Sequence, residues 1–357
     1  MYPELFEIPF IHLTVKSYGV MVVVGFLVAV RLMKHLSDTS ACDSRHIMNV
    51  ALYALVAGVA GARLLYVALN LEQFRDRPLD ALAIWEGGLV FLGGVILAIV
   101  VIETYLIYNR LPLRRYNDML AIGLMMGLAF GRIGCFLHGD CYGGPTELPW
   151  GVRFPYNSFI YISQINADPA RNRSEPQLNL PREEYLAYVG ADGKWYPKPY
   201  EELTARQKIE VTEGKYRSVP VHPTQLYSSA NAAFLCLILY LFWRRSQRSA
   251  DLKNTVGFCS RPGFVFALAF ILYGVARFLI EFLRDDNPFE FAWWAVYKGG
   301  TVSQNLGIYL VIIGAILMAI LTRFTADGPV EVVLDEDRKA DDSEQDGPMA
   351  ATMNTEN

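Results

Sequence analysis

The chain has 357 residues, 53% of them hydrophobic against 19% charged, and a formal net charge of −4 at pH 7. With a positive mean hydropathy, this composition excludes an ordinary soluble domain and points to a polytopic membrane protein. The charge gives no support to a nucleic-acid partner.

In chain order, apolar segments of about twenty residues, the length a bilayer core requires, fall near 17–37, 46–69, 88–108, 117–137, 224–243, 263–283 and 302–322. They predict an all-α fold with seven transmembrane helices. No short apolar segment with a small-residue cleavage pattern precedes the first, so residue 17 onward reads as a retained span. Lys and Arg number 14 after the first, third, fifth and seventh spans, against 5 on the opposite side without the long loop. This asymmetry predicts an outer N-terminus and a cytoplasmic C-terminus.

Residues 1–137 therefore carry helices one to four and residues 222–323 helices five to seven. Between them, 138–221 are rich in Pro, Asn, Tyr and charge and too long for a plain connection. They predict a small folded head on the outer side. Residues 324–357 are acidic, with few large apolar residues, and predict a disordered cytoplasmic tail, the source of the chain's negative charge.

The unusual polar residues collect in one half of the bilayer. Tyr18 opens the first span, Arg63 sits in the outer half of the second, and "WEGGLVFLGG" opens the third. Arg132 closes the fourth, "VHPTQLY" opens the fifth and "YGVARFLIEFLR" closes the sixth. A charge at such depth marks a functional site by default, so this distribution predicts a polar cavity facing the outer leaflet. In the sixth span, Tyr273, Arg277, Glu281 and Arg284 fall within an arc of roughly 80° on one helical face. The bland alternative is an Arg277–Glu281 pair that only neutralises itself. Gly123, Gly127 and Gly131 form a small-residue ridge for close helix packing. Gly87, Gly88, Gly93 and Gly94 mark either a bend or the approach of a headgroup to backbone.

Guanidinium groups hold phosphate through paired hydrogen bonds and keep their charge when partly desolvated. Arg132 and Arg277, with Arg63 or Arg284, are thus expected to hold a phospholipid headgroup and to stabilise a phosphate leaving group. The five cysteines show no CxxC pair and no metal spacing, and no metal or organic cofactor is expected. Cys135 and Cys141 lie near the outer face, and spacing leaves open whether they form a local disulfide.

The stretch "GRIGCFLHGDCYG" at 131–143 resembles the signature of the prolipoprotein diacylglyceryl transferases. "SYGVM", "GARLLY", "WEGGLVFLGG", "HPTQLY" and "YGVARFLIEFLR" resemble further motifs of that family in the same order. The resemblance implies transfer of diacylglyceryl from phosphatidylglycerol to the lipobox cysteine of a prolipoprotein signal peptide, with release of glycerol phosphate. It implies a monomeric bacterial inner-membrane enzyme among membrane lipids. Carried over by position, Tyr18, Arg132, Tyr273, Arg277, Glu281 and Arg284 are its functional residues, with Gly88, Gly131 and His222 beside them. Leu92 stands where many members carry a histidine, and Cys135, His138 and Asp140 replace the signature's two asparagines and its glutamate. His138 and His222 are then the nearest candidate bases, since a neutral imidazole accepts a thiol proton, with Asp140 or the lipid phosphate as the alternative. A phospholipid-binding or scrambling protein that lost the chemistry is the alternative.

The charge asymmetry makes a direct prediction. A reporter fused after Arg323 should be cytoplasmic, and one inserted within residues 160–200 should lie outside; protease accessibility with the opposite result would refute this topology.

Overall fold

The computed structural model describes residues 4–8, 13–40, 42–75, 77–83, 87–252, 259 and 261–323. The expected tail at 324–357, and Trp85 and Glu86 of the third-span motif, lie outside the described residues. Seven helices among the described residues are long and apolar enough to cross a membrane. They are α1 (Ser17–Asp38), α2 (Ser44–Leu69), α3 (Phe91–Tyr108), α4 (Leu113–His138), α5 (Thr224–Leu252), α6 (Phe264–Glu281) and α7 (Val302–Arg323). The chain is a multi-pass membrane protein: Val23, Leu27, Leu52, Val56, Ile96, Leu124 and Leu279 are all exposed on these helices, where acyl chains would cover them.

Local chemistry fixes where the helices begin and end. Asp43 caps α2, its side chain accepting from the Arg45 N–H. Gly139, at φ 90°, takes the left-handed conformation after His138 and stops α4 there. The third span starts at Phe91 rather than 88, because Gly87 and Gly88 both have positive φ (88° and 68°) and form a bend before it. The sixth stops at Glu281, short of 283, so Arg284 does not continue the helical face expected for it. The strand-like segment that follows is held elsewhere: Gly144 N–H donates to Leu283 O and Asp285 N–H to Tyr142 O.

Packing follows the small residues. The helices pair mainly as α1 with α4, α2 with α3, α4 with α5, and α6 with α7. At the last pair, a Cβ on Gly274 would lie 2.6 Å from Gly307 O, and one on Gly307 would lie 2.8 Å from Gly274 O. Only glycine permits that approach. In the expected α4 ridge, Gly123 packs on Met33 and Gly127 reaches Ala29, but Gly131 meets nothing within 4 Å. The apolar core, including Met33, Ile47, Tyr116, Ile122, Leu239 and Val265, lies towards the other end of the bundle. There the α4 carboxylate of Asp118 accepts from Gly263 N–H (2.8 Å) and Phe266 N–H (2.7 Å), capping α6 from a neighbouring helix.

Ahead of α1, β1 (Glu4–Ile8) and β2 (Leu13–Lys16) pair antiparallel. Between α4 and α5 lies the small folded insertion. It holds a helix at Phe159–Gln164, a hairpin of β3 (Leu186–Val189) with β4 (Trp195–Pro197), and a helix at Ala205–Thr212 opened by a Thr204/Gln207 capping box. Tyr161, Ile165, Leu178, Tyr185, Leu203 and Val211 form its own core.

Gly274→Val should destabilise the detergent-solubilised protein by about 1–3 kcal/mol, the usual cost of overpacking. An unchanged thermal unfolding midpoint would show that the α6–α7 contact yields freely.

Candidate functional site

The end of the bundle that carries the insertion gathers most of the unusual polar residues. Arg132, near the end of α4, and Tyr273 and Arg277 of α6 line one narrow crevice with Leu128, Ser228, Asn231 and Ile280. Gly131, next to Arg132, faces open space but does not line the crevice. A larger hollow between Pro145–Gly151 and Val219–Pro220 contains one guanidinium, Arg153, which already donates to Ser218 O. The crevice, not the hollow, holds the clustered charge.

Arg277 donates to Glu281 Oε2 (2.5 Å) and to Ser303 Oγ on α7 (2.5 Å). The Glu281 side chain is fully buried, and its other oxygen accepts from Asn287 Nδ2 (2.5 Å) and Thr301 Oγ1 (2.8 Å). Arg284 Nε stands 3.7 Å from the same carboxylate and makes a two-pronged pair with Asp286, through Nε at 2.8 Å and Nη2 at 2.5 Å. Burial would weaken the Arg284 charge, but the Asp286 hydrogen bond and charge outweigh it and hold its pKa above the ordinary value. Thus Glu281 and Asp286 both answer guanidinium groups, yet Arg277 keeps N–H donors free of either bond.

Arg132 has no carboxylate partner within salt-bridge distance among the described residues; its Nη1 lies 3.3 Å from Cys141 Sγ. Cys135 and Cys141 are both free thiols. The Cys141 thiol is held below its ordinary range, first by the hydrogen bond from Cys135 and then, against burial, by Arg284 and Arg132. The turn presenting it is tied to α5: Gln225 Nε2 donates to Asp140 O (2.7 Å) and Thr224 Oγ1 to Cys141 O (2.8 Å). The Asp140 Oδ1, Gln225 Oε1 and His138 Nδ1 atoms are buried with no hydrogen-bond partner. His138 is the last residue of α4, and its ring lies 6.3 Å from the Tyr18 ring.

Other expected residues stand apart. Arg63 is buried and spends its donors on backbone: Nε to Ala81 O (2.9 Å), Nη1 to Gly87 O (2.5 Å) and Gly88 O (3.1 Å), and Nη2 to Asp80 O (2.6 Å). It gathers the loop around Gly88 rather than facing Arg132 directly. His222 pairs with Tyr227, Nδ1 to hydroxyl at 3.5 Å, and Trp150 Nε1 donates to the same hydroxyl at 2.7 Å. Leu92 is exposed at the start of α3.

Several residues escaped sequence reasoning. Asp285, Asp286 and Asn287 directly follow the sixth-span motif, and Thr301 and Ser303 open α7; a polar run at a span boundary was the only signal. Arg171 and Arg173 gave none. Yet Arg171 donates to Asn287 O (2.8 Å) and to Arg284 O, and Arg173 pairs with Asp285 at 2.8 Å, with both partners largely buried. The insertion therefore clasps the segment that carries Arg284.

The chain matches the family model described as prolipoprotein diacylglyceryl transferase over residues 3–320. Similar curated proteins named phosphatidylglycerol–prolipoprotein diacylglyceryl transferase include the following three. That of Clostridium tetani is 27% identical, covering 88% of this chain and 95% of its own. That of Burkholderia lata is 28% identical, covering 86% and 90%, and that of Roseobacter denitrificans 26%, covering 89% and 95%.

The clasp makes a structural prediction. Asp285→Ala should raise amide hydrogen exchange in both 163–173 and 284–287, since it strips the shared partner of two arginines. Faster exchange in neither segment would show that Asp285 ties nothing.

Proposed function

The chain belongs to the prolipoprotein diacylglyceryl transferase family, and from that premise we propose how its own residues transfer diacylglyceryl to a prolipoprotein cysteine. The observation that carries the reading is the meeting of Arg132, Tyr273 and Arg277 in one crevice at the end of a lipid-covered bundle. A phosphatidylglycerol phosphate matches the free donors of Arg132 and Arg277 in charge and hydrogen bonding. The lipid's acyl chains remain among the exposed apolar faces.

The reaction forms one S–C bond to the glyceryl carbon and breaks its C–O bond to phosphate. The electron pair leaves with the phosphate, where the guanidinium clamp stabilises the growing charge. Glu281 and Asp286 hold Arg277 and Arg284 in place for this. His138 takes the thiol proton: its Nδ1 has no partner and its helix ends at the site. Asp140 is the second candidate. Tyr18 and Tyr273 flank the headgroup, His222 shapes the rim, and Arg63 acts through the loop that presents Gly88. The insertion and N-terminus lie on the outer side of a bacterial inner membrane, where lipobox cysteines arrive, a reading supported by the Lys and Arg asymmetry of the loops. Binding without transfer is the reading this must beat.

The test is incubation of the purified protein with labelled phosphatidylglycerol and a lipobox peptide, watching for a lipidated thiol. Arg132→Ala and Arg277→Ala should abolish transfer, and Arg277→Lys should restore little, because an ammonium lacks the planar fork. Full activity in Arg277→Ala would reduce the Arg277–Glu281 pair to structure. His138→Gln should lower the rate by about a hundredfold or more, the scale of a positioned base, with the loss shrinking as pH nears the thiol pKa. A small, pH-independent effect would transfer the role to Asp140.

A further inference from the structure

Resting on that reading, we propose that Cys135, Asp140 and Cys141 form a site for a thiophilic divalent cation of the zinc type, completed by the prolipoprotein cysteine as fourth ligand. The two Sγ atoms and a carboxylate oxygen of Asp140 all lie within 4.8 Å of one another. Ligand atoms about 2.3 Å from a tetrahedral ion stand about 3.8 Å apart, so the set needs only small side-chain adjustment to close on one.

The fold builds this cluster from residues that are not spaced like a metal motif. Cys135 lies one turn before the end of α4, and Gly139 reverses the chain there. Both Gly139 and Asp140 donate their N–H to Cys135 O, at 2.9 and 3.2 Å, which brings 140 and 141 back over Cys135. Thr224 and Gln225 then pin the carbonyls of Cys141 and Asp140 from α5. The turn is held through its own carbonyl and N–H groups, which brings its three donor side chains together.

Two further observations point to a cation. Asp140 Oδ1 is buried with no hydrogen-bond partner, and so is Oε1 of the fully buried Gln225, whose amide nitrogen binds the Asp140 carbonyl. Buried acceptors left unanswered are costly; one belongs to this turn and the other to the α5 side chain bound to it. The charges also close. Two thiolates and a carboxylate sum to −3, and a dication with the adjacent Arg132 supplies +3. The Arg132 Nη1 contact to Cys141 Sγ, at 3.3 Å, is then a supporting N–H···S bond to a metal-bound thiolate.

Three protein ligands with one open position is the pattern of a catalytic rather than a structural zinc site. A thiol that binds such an ion loses its proton. The incoming cysteine would give its proton to His138 and bind as thiolate. Its sulfur would then attack the glyceryl carbon, the C–O bond would break, and the electron pair would leave with the phosphate. His138 would return its proton to the released phosphate or to water. Arg132 links the two halves, touching the metal-bound sulfur on one side and lining the lipid crevice on the other.

The experiment uses the full-length protein in detergent, stripped with a chelator and titrated with cobalt(II). The expected result is a thiolate-to-cobalt charge-transfer band that saturates at one equivalent. A lipobox peptide should intensify it by adding a third thiolate, and a serine-for-cysteine peptide should not. Cys135→Ser and Cys141→Ser should each weaken binding tenfold or more. In the transfer assay, stripped protein should lose at least tenfold in rate and regain it with one equivalent of zinc. No band, binding unchanged in both cysteine variants, or a Cys135–Cys141 disulfide in freshly isolated protein would overturn the site. Full transfer by protein shown metal-free by elemental analysis would overturn it too, while leaving the transferase reading intact. Cobalt binding with the peptide response, but no transfer with any metal, would support the site and refute the activity instead.

Discussion

The fully buried carboxylate of Glu281 is the interaction on which the rest of this site depends. An ionised carboxylate taken out of water is tolerable only when opposite charge and hydrogen bonds surround it. Here the donors come from three directions: Arg277 one turn back on α6, Asn287 from the segment after the helix, and Thr301 ahead of α7. Satisfying one anion therefore sets three pieces of chain against each other. Arg277 is left with its guanidinium directed into the crevice and with donors to spare, which suits a phosphate better than a self-contained ion pair does.

Close helix packing makes that arrangement reachable. The Gly274–Gly307 contact draws α6 and α7 together, so Ser303 on α7 can meet Arg277 on α6. At the far end of α6, Asp118 accepts its first free N–H groups and anchors it to α4, the helix that carries Arg132. The two arginines thus stand on elements locked to each other at a distance from the crevice. A charged site in a membrane needs this rigidity, since a mobile guanidinium would find carbonyls or water instead.

The insertion between α4 and α5 has a mechanical place in the same scheme. Its Arg171 and Arg173 grip Asp285 and the carbonyls of Arg284 and Asn287. These are the residues that flank Glu281 and hold Asp286 against Arg284. The same chain leaves α4 through Gly139 and returns through His222, so Gly143 pairs with both His222 and the segment at Arg284. The insertion is in this sense part of the site's frame.

Much of this was legible before any fold was known. Seven spans followed from hydropathy because a chain crossing lipid as helices must show apolar faces, and their bounds agreed within about four residues except at the end of the fifth, which runs to Leu252 instead of 243. Arg132, Arg277 and Glu281 were legible because charge inside an apolar run is costly enough to need a reason, and Tyr273 through its phase with Arg277. What the linear chain could not carry was partnership. Arg63 reads like another clamp arginine, but only the loop folded over it shows that its donors meet backbone carbonyls. Arg284 sits in phase with Arg277 on paper, yet the helix stops at Glu281 because the segment beyond it pairs with residues 142–144. Cys135, Asp140 and Cys141 have no metal spacing in sequence; a left-handed glycine turn brings them together. Composition and periodicity determined which residues could bear charge in a membrane, whereas the tertiary structure decided which charge faces which, because hydrogen bonds are directional and act across any distance in sequence.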